Sequence, residues 1–485
     1  MRIIGNDPNT PRQTQVVASG TLSTGDTVVV NADGTVSVVE ETDVSQGLGS
    51  ATVFTSNRAD WLDSDFDVNA NRVVVAYKDL GNNDYGTAVV GTISGTSISF
   101  GTPVVFRSVG TAYMAVTYEP VAQKVVISFE DDGPSGGSSI VGTVSGTSIS
   151  FGGKTTFESG TCRQQVSTYD STSGKIVIAY ALNTFFKAVV GTVSGNSISF
   201  GTPAEIDQSS NSYRYTGIAY DPTANKIVVV GSDLGSSTRA KASVGTVSGT
   251  SISFGTQVDV NGSTQSTENP VVYDGSIQKV IVANNNNGNS GFVKIGTISG
   301  TSISFSSAST FHASGAIRIK MVYDSNAQKT VIYYGRGSGF NVRPTLIVGT
   351  ASASSVSFGS DVYLTGETGD RSLDPAGLAF DSVSNKVITS YPNYTDTTGD
   401  GIVFQNASTD INLTSENYIG TAATGAPSGT GAKINLKGAV DENQSGLTAG
   451  QSYYVQTDGT LSTTPDDPSV FAGTAVAANK LIVKG

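Results

Sequence analysis

A single cysteine, Cys162, leaves this chain without an intrachain disulfide or a thiolate metal cluster. It reads as a small side chain near a loop. The only histidine, His312, stands in a connection beside Phe311 with no catalytic partner at a recognisable spacing, and reads as solvated surface. A His-based metal site is excluded, and a Ser-His-Asp triad could only be built around that one position. Charged residues make up only 14% of the 485, and the formal net charge of -12 argues against nucleic acid or an anionic membrane surface as partner. No apolar run approaches the length of a membrane helix, so no membrane insertion is expected. Met1 to Pro8 shows no apolar stretch of the secretory kind, so the expected site of synthesis and assembly is a cytoplasm without disulfides. No cofactor motif is present.

Glycine is plentiful, at 57 residues, and the sequence repeats itself. The phrase Val90-Gly91-Thr92-Ile93-Ser94-Gly95-Thr96-Ser97-Ile98-Ser99-Phe100 returns five times, ending at Phe151, Phe200, Phe254, Phe305 and Phe358. A period near fifty in a Gly/Ser/Thr/Val-rich chain with little helical pattern points to a propeller or solenoid. A second landmark keeps step with it. An aromatic–acid pair followed five residues after the acid by a base occurs seven times: Phe66-Asp67 with Arg72, then Tyr118-Glu119 with Lys124, Tyr169-Asp170 with Lys175, Tyr220-Asp221 with Lys226, Tyr273-Asp274 with Lys279, Tyr323-Asp324 with Lys329 and Phe380-Asp381 with Lys386. Alternating segments before each and β-branched runs after each predict strand, turn, strand. The acid suits the turn start, where it accepts a backbone N–H, and the base is placed to pair across the hairpin mouth.

Val-Gly-Thr then supplies a third strand and Ser-Ile-Ser-Phe a fourth, joined by a tight turn with glycine at positive φ. The sixth copy has Ala353 there, so its turn must differ or be strained. Four antiparallel strands per fifty residues make a propeller blade. Seven hairpins but six Ser-Ile-Ser-Phe strands leave the last blade, Gly377 to Ala407, without its outer strand. Gly49-Ser50-Ala51-Thr52-Val53-Phe54 aligns with Gly101-Thr102-Pro103-Val104-Val105-Phe106 and is predicted to complete it. The expected fold is all-β: a seven-bladed β-propeller closed by an N-terminal strand, over residues 49–408.

The chain ends repeat each other at an offset of 425: Leu22, Gly25 and Asp33-Gly34-Thr35 correspond to Leu447, Gly450 and Asp458-Gly459-Thr460. The second copy continues to Gly485, whereas the first resumes only near Ile419. The propeller is therefore expected to be inserted in a small split tandem β module, 19–48 with 409–485, with residues 1–18 as an extended arm.

Turns 1–2 and 3–4 of a blade share one rim and barely change between copies, as a structural role demands. Connections 4–1 and 2–3 share the other and differ in every copy, as a binding surface demands. The binding candidates from the 4–1 connections are Arg58, Trp61, Tyr113, Arg163, Tyr213, Arg214, Tyr215 and Arg371; those from the 2–3 connections are Tyr85, Phe186, Arg336, Arg343 and Tyr391. Aromatic platforms with polar neighbours suit a glycan, and Trp, Tyr and Arg equally suit a protein partner. Asp79, Asp131, Asp132, Asp370 and Asp374 are the carboxylates available for glycoside hydrolysis, a weak signal beside the frequency of acidic loops. Asp396 to Gly401 has oxygen ligands for calcium but falls short of an EF-hand loop and reads as a plain turn. No catalytic residues are assigned, and a non-enzymatic role is expected.

The repeated Val-Gly-Thr-Val-Ser-Gly-Thr-Ser-Ile-Ser-Phe-Gly-Thr-Pro phrase resembles repeat proteins of marine tailed bacteriophages, of the cyanophage type, that serve as tail fibres or other virion structural proteins. The resemblance covers residues 49–364 and the tail segment Gly446 to Ser462. It implies a virion part assembled in the host cytoplasm, joined to other virion proteins through residues 1–48 and 409–485 and present as a homo-oligomer in the particle. The variable propeller face would then meet a host surface glycan or protein. A capsid or tail decoration without a receptor and a polysaccharide depolymerase are the alternatives.

Overall fold

The structure, a computed structural model, describes residues 12–484 apart from 134–135, 184, 208–212, 237–238, 262–267, 287–288, 339–340 and 365–375, and omits the side chains of residues 215, 236, 338 and 341. It is all-β, and no helix among the described residues is long and apolar enough to cross a membrane. The chain divides into two compact units: residues 46–406, and residues 1–45 with 407–485.

The larger unit is built from antiparallel sheets of one pattern repeated seven times, the first two repeats joined into a nine-stranded sheet by a shared strand. In the first, Ala59–Asp67, Arg72–Asp79 and Tyr85–Ser94 form a meander, and Ser97–Phe100 folds back on the third strand. Ser-Ile-Ser-Phe forms a strand because its alternation suits a half-covered edge: the serines face solvent, Ile98 is buried and Phe100 is half-buried. Each acid of the repeated hairpin is buried and accepts backbone N–H groups two or three residues on, from Ala70 to Asp67 at 2.9 Å through to Val383 and Ser384 to Asp381. Just before the base the backbone turns left-handed, at Asn71, Gln123, Gly174, Asn225, Gln278, Gln328 and Asn385. Asparagine and glycine tolerate that geometry best.

The base does not pair with the acid. Lys124 Nζ donates to Thr143 Oγ1 and Lys329 Nζ to Thr350 Oγ1, each at 2.9 Å, while Arg72 Nε donates to the Gly146 carbonyl at 3.0 Å. The acid is consumed by capping its own turn, so the base reaches the third-strand threonine or a neighbouring turn instead. Gly95, Gly146, Gly195, Gly249 and Gly300 adopt the positive φ expected of the 3–4 turns. The sixth turn differs: Ser352 N donates to the Ser355 carbonyl at 2.8 Å, and the strand after it shortens to Val356–Phe358.

Each sheet also has a short fifth strand, which the sequence pattern does not separate from the loop after Ser-Ile-Ser-Phe. It pairs with the far half of the third strand, as Thr155–Ser159 does with Gly136–Ser145. Val104–Glu119 is continuous, serving the first sheet with one end and opening the second with the other. In the seventh sheet, Gly377–Asp381, Lys386–Asn393 and Thr398–Gln405 are joined by two strands from the opposite end of the unit. Gly47–Leu48 pairs at Phe404 and Gln405, and Thr52–Thr55 pairs at Gly399 to Gly401.

Adjacent sheets share apolar cores. One holds Val177, Phe186, Tyr213 and Val229 between the third and fourth, and another holds Phe54, Leu62, Tyr77, Ala379 and Val403 between the seventh and first. The glycine after four of the Ser-Ile-Ser-Phe strands explains how close the sheets come. A Cβ on Gly101, Gly152, Gly201 or Gly255 would lie 1.8–2.0 Å from a carbonyl oxygen in the 3–4 turn of the next sheet. Gly49, next to the N-terminal strand, stands 1.8 Å by the same measure from the Thr96 carbonyl of the first sheet.

The smaller unit contains two five-stranded sheets with one strand order. In the first it runs Gln13–Val17, Gly431–Asn435, Tyr418–Ala422, Thr27–Val30, Val36–Val38; in the second, Val440–Asp441, Lys480–Val483, Val470–Ala477, Ser452–Val455, Leu461–Ser462. The 425-residue offset thus extends to the first strand of each. Residues 13–17, expected in an extended arm, are an edge strand on Gly431–Asn435, because Gln-Thr-Gln-Val-Val alternates in the strand period. Residues 1–11 of that arm lie outside the described residues.

Candidate functional site

The first strands of the seven sheets neighbour one another in order, and Gly377–Asp381 of the seventh also neighbours Ala59–Asp67 of the first. They surround a cavity of about 420 Å³. Every one of the seven contributes lining, from Trp61, Asp63 and Asp65 through Tyr113, Gln165, Thr216, Val271 and Lys320 to Leu378, and Glu268 joins them from just ahead of the fifth strand.

One local distortion recurs at this cavity. The first strands of the first, second, third, fourth and sixth sheets break register near their starts, at Asp60/Asp63, Ala112/Ala115, Arg163/Val166, Arg214/Gly217 and Ile317/Lys320. Within four of these bulges a bulky residue has a left-handed backbone: Trp61 at φ 54°, Tyr113 at 52°, Gln164 at 54° and Arg318 at 58°. Bulges re-aim side chains, and a non-glycine residue in that region costs on the order of 1 kcal/mol or more. Trp61 and Tyr113 meet with ring centroids 4.1 Å apart at 49°.

The polar lining is extensively paired. Lys320 Nζ lies 3.5 Å from Asp63, whose other oxygen accepts the Val116 N–H at 2.9 Å. Asp65 accepts the N–H of Tyr118 at 2.7 Å and of Phe66 at 2.8 Å. Arg318 sits 3.9 Å from Glu268 and donates its own N–H to that carboxylate at 3.2 Å. Burial pushes the Asp65 carboxyl up to about 6 and that of Glu268 up to about 7; the hydrogen bonds from Tyr118 and Phe66, and the charge of Arg318, offset this only in part. A carboxyl raised on folding binds its proton more tightly in the folded state. Its stabilising contribution is therefore complete below about pH 4, where the unfolded group titrates, and is lost as pH rises to about 7. Replacing both groups, Asp65→Asn with Glu268→Gln, is expected to leave stability unchanged or lower at pH 4 and to raise it relative to the parent at pH 8. Thermal unfolding of both proteins at the two pH values checks this.

Strand register puts the 4–1 and 2–3 connections on one rim: Ala59 is opposite Asp79, and Asp79 opposite Tyr85. Trp61 and Tyr113 are half-buried on the cavity wall, Tyr85 is half-buried, and Arg163 and Arg214 are exposed. Arg58 pairs with Asp60 at 2.6 Å and lies over the ring of Tyr394 at 4.5 Å. Arg343 stacks on Tyr363 at 3.7 Å, and Arg336 pairs with Asp361 at 2.8 Å. Arg371 and the side chain of Tyr215 lie outside the described residues, as do Asp370 and Asp374.

Three candidates are core residues. Phe186 and Tyr391 are fully buried, and Tyr213 stacks on Phe186 with centroids 4.8 Å apart at 13°. The strands extend further towards the rim than the sequence pattern indicates, so these rings project into the packing between sheets. His312 is likewise half-buried rather than solvated. Its Nδ1 is 3.4 Å from the hydroxyl of Tyr334, and burial lowers its pKa. Cys162 is wholly buried at a strand start, and its thiol is pushed up to about 12 by burial.

Two of the candidate carboxylates, Asp79 and Asp131, have structural partners. Asp131 is buried between Lys154 at 2.7 Å and Arg107 at 3.1 Å. Asp79, Asp131, Asp233 and Asn393 each accept the N–H two residues on, so the second strand ends in the same small turn in four sheets. In the Asp396 to Gly401 segment, Asn393 donates to both Asp396 and Asp400, and no group of three metal-ligating side chains occurs among the described residues.

Sequence reasoning missed Gln165, Glu268, Asp63, Asp65 and Lys320. Asp63, Asp65, Gln165 and Lys320 sit inside strands the repeat had marked as structural, where the register break re-aims the backbone, whereas Glu268 lies just ahead of the first strand of the fifth sheet, Val271–Asp274. Comparison with protein-family models and with curated proteins finds no match for this chain.

Proposed function

We propose that residues 46–406 are a seven-bladed β-propeller closed by the N-terminal strands, and that it is the recognition part of a bacteriophage virion appendage. Its variable rim meets a host surface glycan or protein, and the smaller unit joins the particle. The repeat phrase and the tail segment support the virion reading through their resemblance to phage structural proteins. The pairing of Thr52–Thr55 with the seventh sheet and the core around Phe54 support closure.

The observation that carries the binding role is the row of strained bulges. Trp61, Tyr113, Gln164 and Arg318 occupy corresponding places in four first strands and differ in identity, yet share a costly backbone. Packing alone has no need of that arrangement, whereas a surface that presents different side chains from one scaffold does. Purified chain should adsorb to host bacteria and block infection, and Arg163→Ala with Arg214→Ala should weaken both effects. Absence of adsorption and of blocking by the parent protein would sink the recognition role.

A further inference from the structure

We propose that the cavity among the first strands is a subsite for one neutral pyranose ring, held between the Trp61–Tyr113 pair and the side-chain amide of Gln165. This rests on the reading that the variable rim meets a glycan, and it names where and in what chemical form.

Three observations converge. The first is the aromatic wall. Trp61 and Tyr113 line the cavity half-buried, whereas Phe54, Phe157 and Phe311 are buried between sheets. An indole and a phenol fixed by strained backbone offer the flat apolar surface on which the C–H face of a sugar stacks.

The second is Gln165. It is 4% exposed and lines the same cavity, and neither its Nε2 nor its Oε1 has a hydrogen-bond partner among the described residues. A buried amide left unpaired costs about 1–3 kcal/mol per group, and proteins seldom carry one without a use. A carbonyl acceptor and an NH₂ donor on one side chain match adjacent hydroxyls, each of which both donates and accepts.

The third is the balance of charge. Lys320 is set against Asp63 and Arg318 against Glu268, while the Asp65 oxygens accept backbone N–H groups. Among the described residues, no uncommitted cation in the lining faces an anionic sugar, and the carboxylates would repel one. A neutral ring meets no such penalty, and its remaining hydroxyls can donate to Asp63 or Asp65. The volume of about 420 Å³ lies at the small-molecule end of the binding-cavity range and suits one ring better than an extended chain.

Trp61 is the only tryptophan in the chain, so indole emission reports on this site without interference. The full chain is titrated with D-glucose, D-galactose, D-mannose and N-acetyl-D-glucosamine, and with D-glucuronate and N-acetylneuraminate as charged controls. The expected result is a saturable change in Trp61 emission with at least one neutral sugar and none with the charged ones. Gln165→Met, which keeps the volume and removes both polar functions, should weaken that sugar about tenfold, the worth of one such hydrogen bond, and should unfold at a midpoint no lower than the parent's, because the cost of the unpaired amide is gone. Should that variant misfold, protection of Trp61 from acrylamide quenching by the same sugar in the parent chain takes its place.

A lack of response to every neutral sugar overturns the proposal. So does unchanged affinity in a folded Gln165→Met, or charged sugars binding as tightly as neutral ones. Adsorption to host bacteria that persists without any sugar response removes this subsite and leaves the recognition role standing; loss of adsorption by the parent chain removes the recognition role itself.

Discussion

Phe54→Ala is expected to destabilise the larger unit by about 3 kcal/mol or more, as removal of a buried phenylalanine does where the surroundings cannot collapse. Phe54 is 5% exposed, its ring 5.2 Å from Tyr77 and 5.4 Å from Phe100. Its strand is hydrogen-bonded to the seventh sheet while its side chain packs on the first. Phe157 has the same relation to the third sheet, at 5.1 Å from Tyr180 and 5.2 Å from Phe200. The informative comparison is between the two alanine variants in urea unfolding. If the N-terminal strand is an integral part of the structure, their losses agree within about 1 kcal/mol, since the packing is alike. A loss below about 1 kcal/mol for Phe54→Ala, beside a full loss for Phe157→Ala, would show the seventh and first sheets to be only loosely joined and would remove the support for closure.

Gly201→Ala is expected to cost roughly 2–3 kcal/mol, while Gly153→Ala changes stability by less than about 0.5 kcal/mol. The two glycines differ in what a methyl group would strike. At Gly201 the Cβ would stand 1.9 Å from the Thr250 carbonyl, a backbone atom pinned in the turn of the next sheet; at Gly153 nothing lies within 4 Å. One repeat has made a related exchange: Ser306 stands where the other copies have glycine, and the sheet it faces is the one whose turn is rebuilt around Ser352 and Ser355. The sequence departs at Ser306 and at Ala353, on two sheets that follow one another. Thermal unfolding of the two alanine variants tests this, and equal midpoints would refute the close approach of the sheets.

Much of the larger unit is legible in the amino-acid sequence, for a physical reason. Ser-Ile-Ser-Phe and the aromatic–acid turn recur because each copy meets the same neighbours, so repetition reports a repeated environment. The same logic locates the N-terminal partner of the seventh sheet through the likeness of Gly49 to Phe54 with Gly101 to Phe106. Side-chain direction is far less legible at the strand ends. Phe186, Tyr213 and Tyr391 look like loop aromatics in a variable segment, yet the strands run through them and turn them inward. The cavity residues are hidden for the opposite cause. Gln165 falls in a stretch that looks regular, and no composition signal marks where a strand slips by one residue.

The amino-acid sequence by itself determined the all-β character, the recurring hairpins and the outer Ser-Ile-Ser-Phe strands, because these follow from local alternation, turn chemistry and repeat spacing. Only the tertiary structure decided which side chains face the cavity, which charges neutralise one another there and which carboxylates merely cap a turn. Those outcomes depend on backbone bulges and on neighbours about fifty residues or more away, such as Asp63 with Val116 and with Lys320. Contacts of that kind are fixed by how the sheets pack, and no local stretch of sequence encodes them.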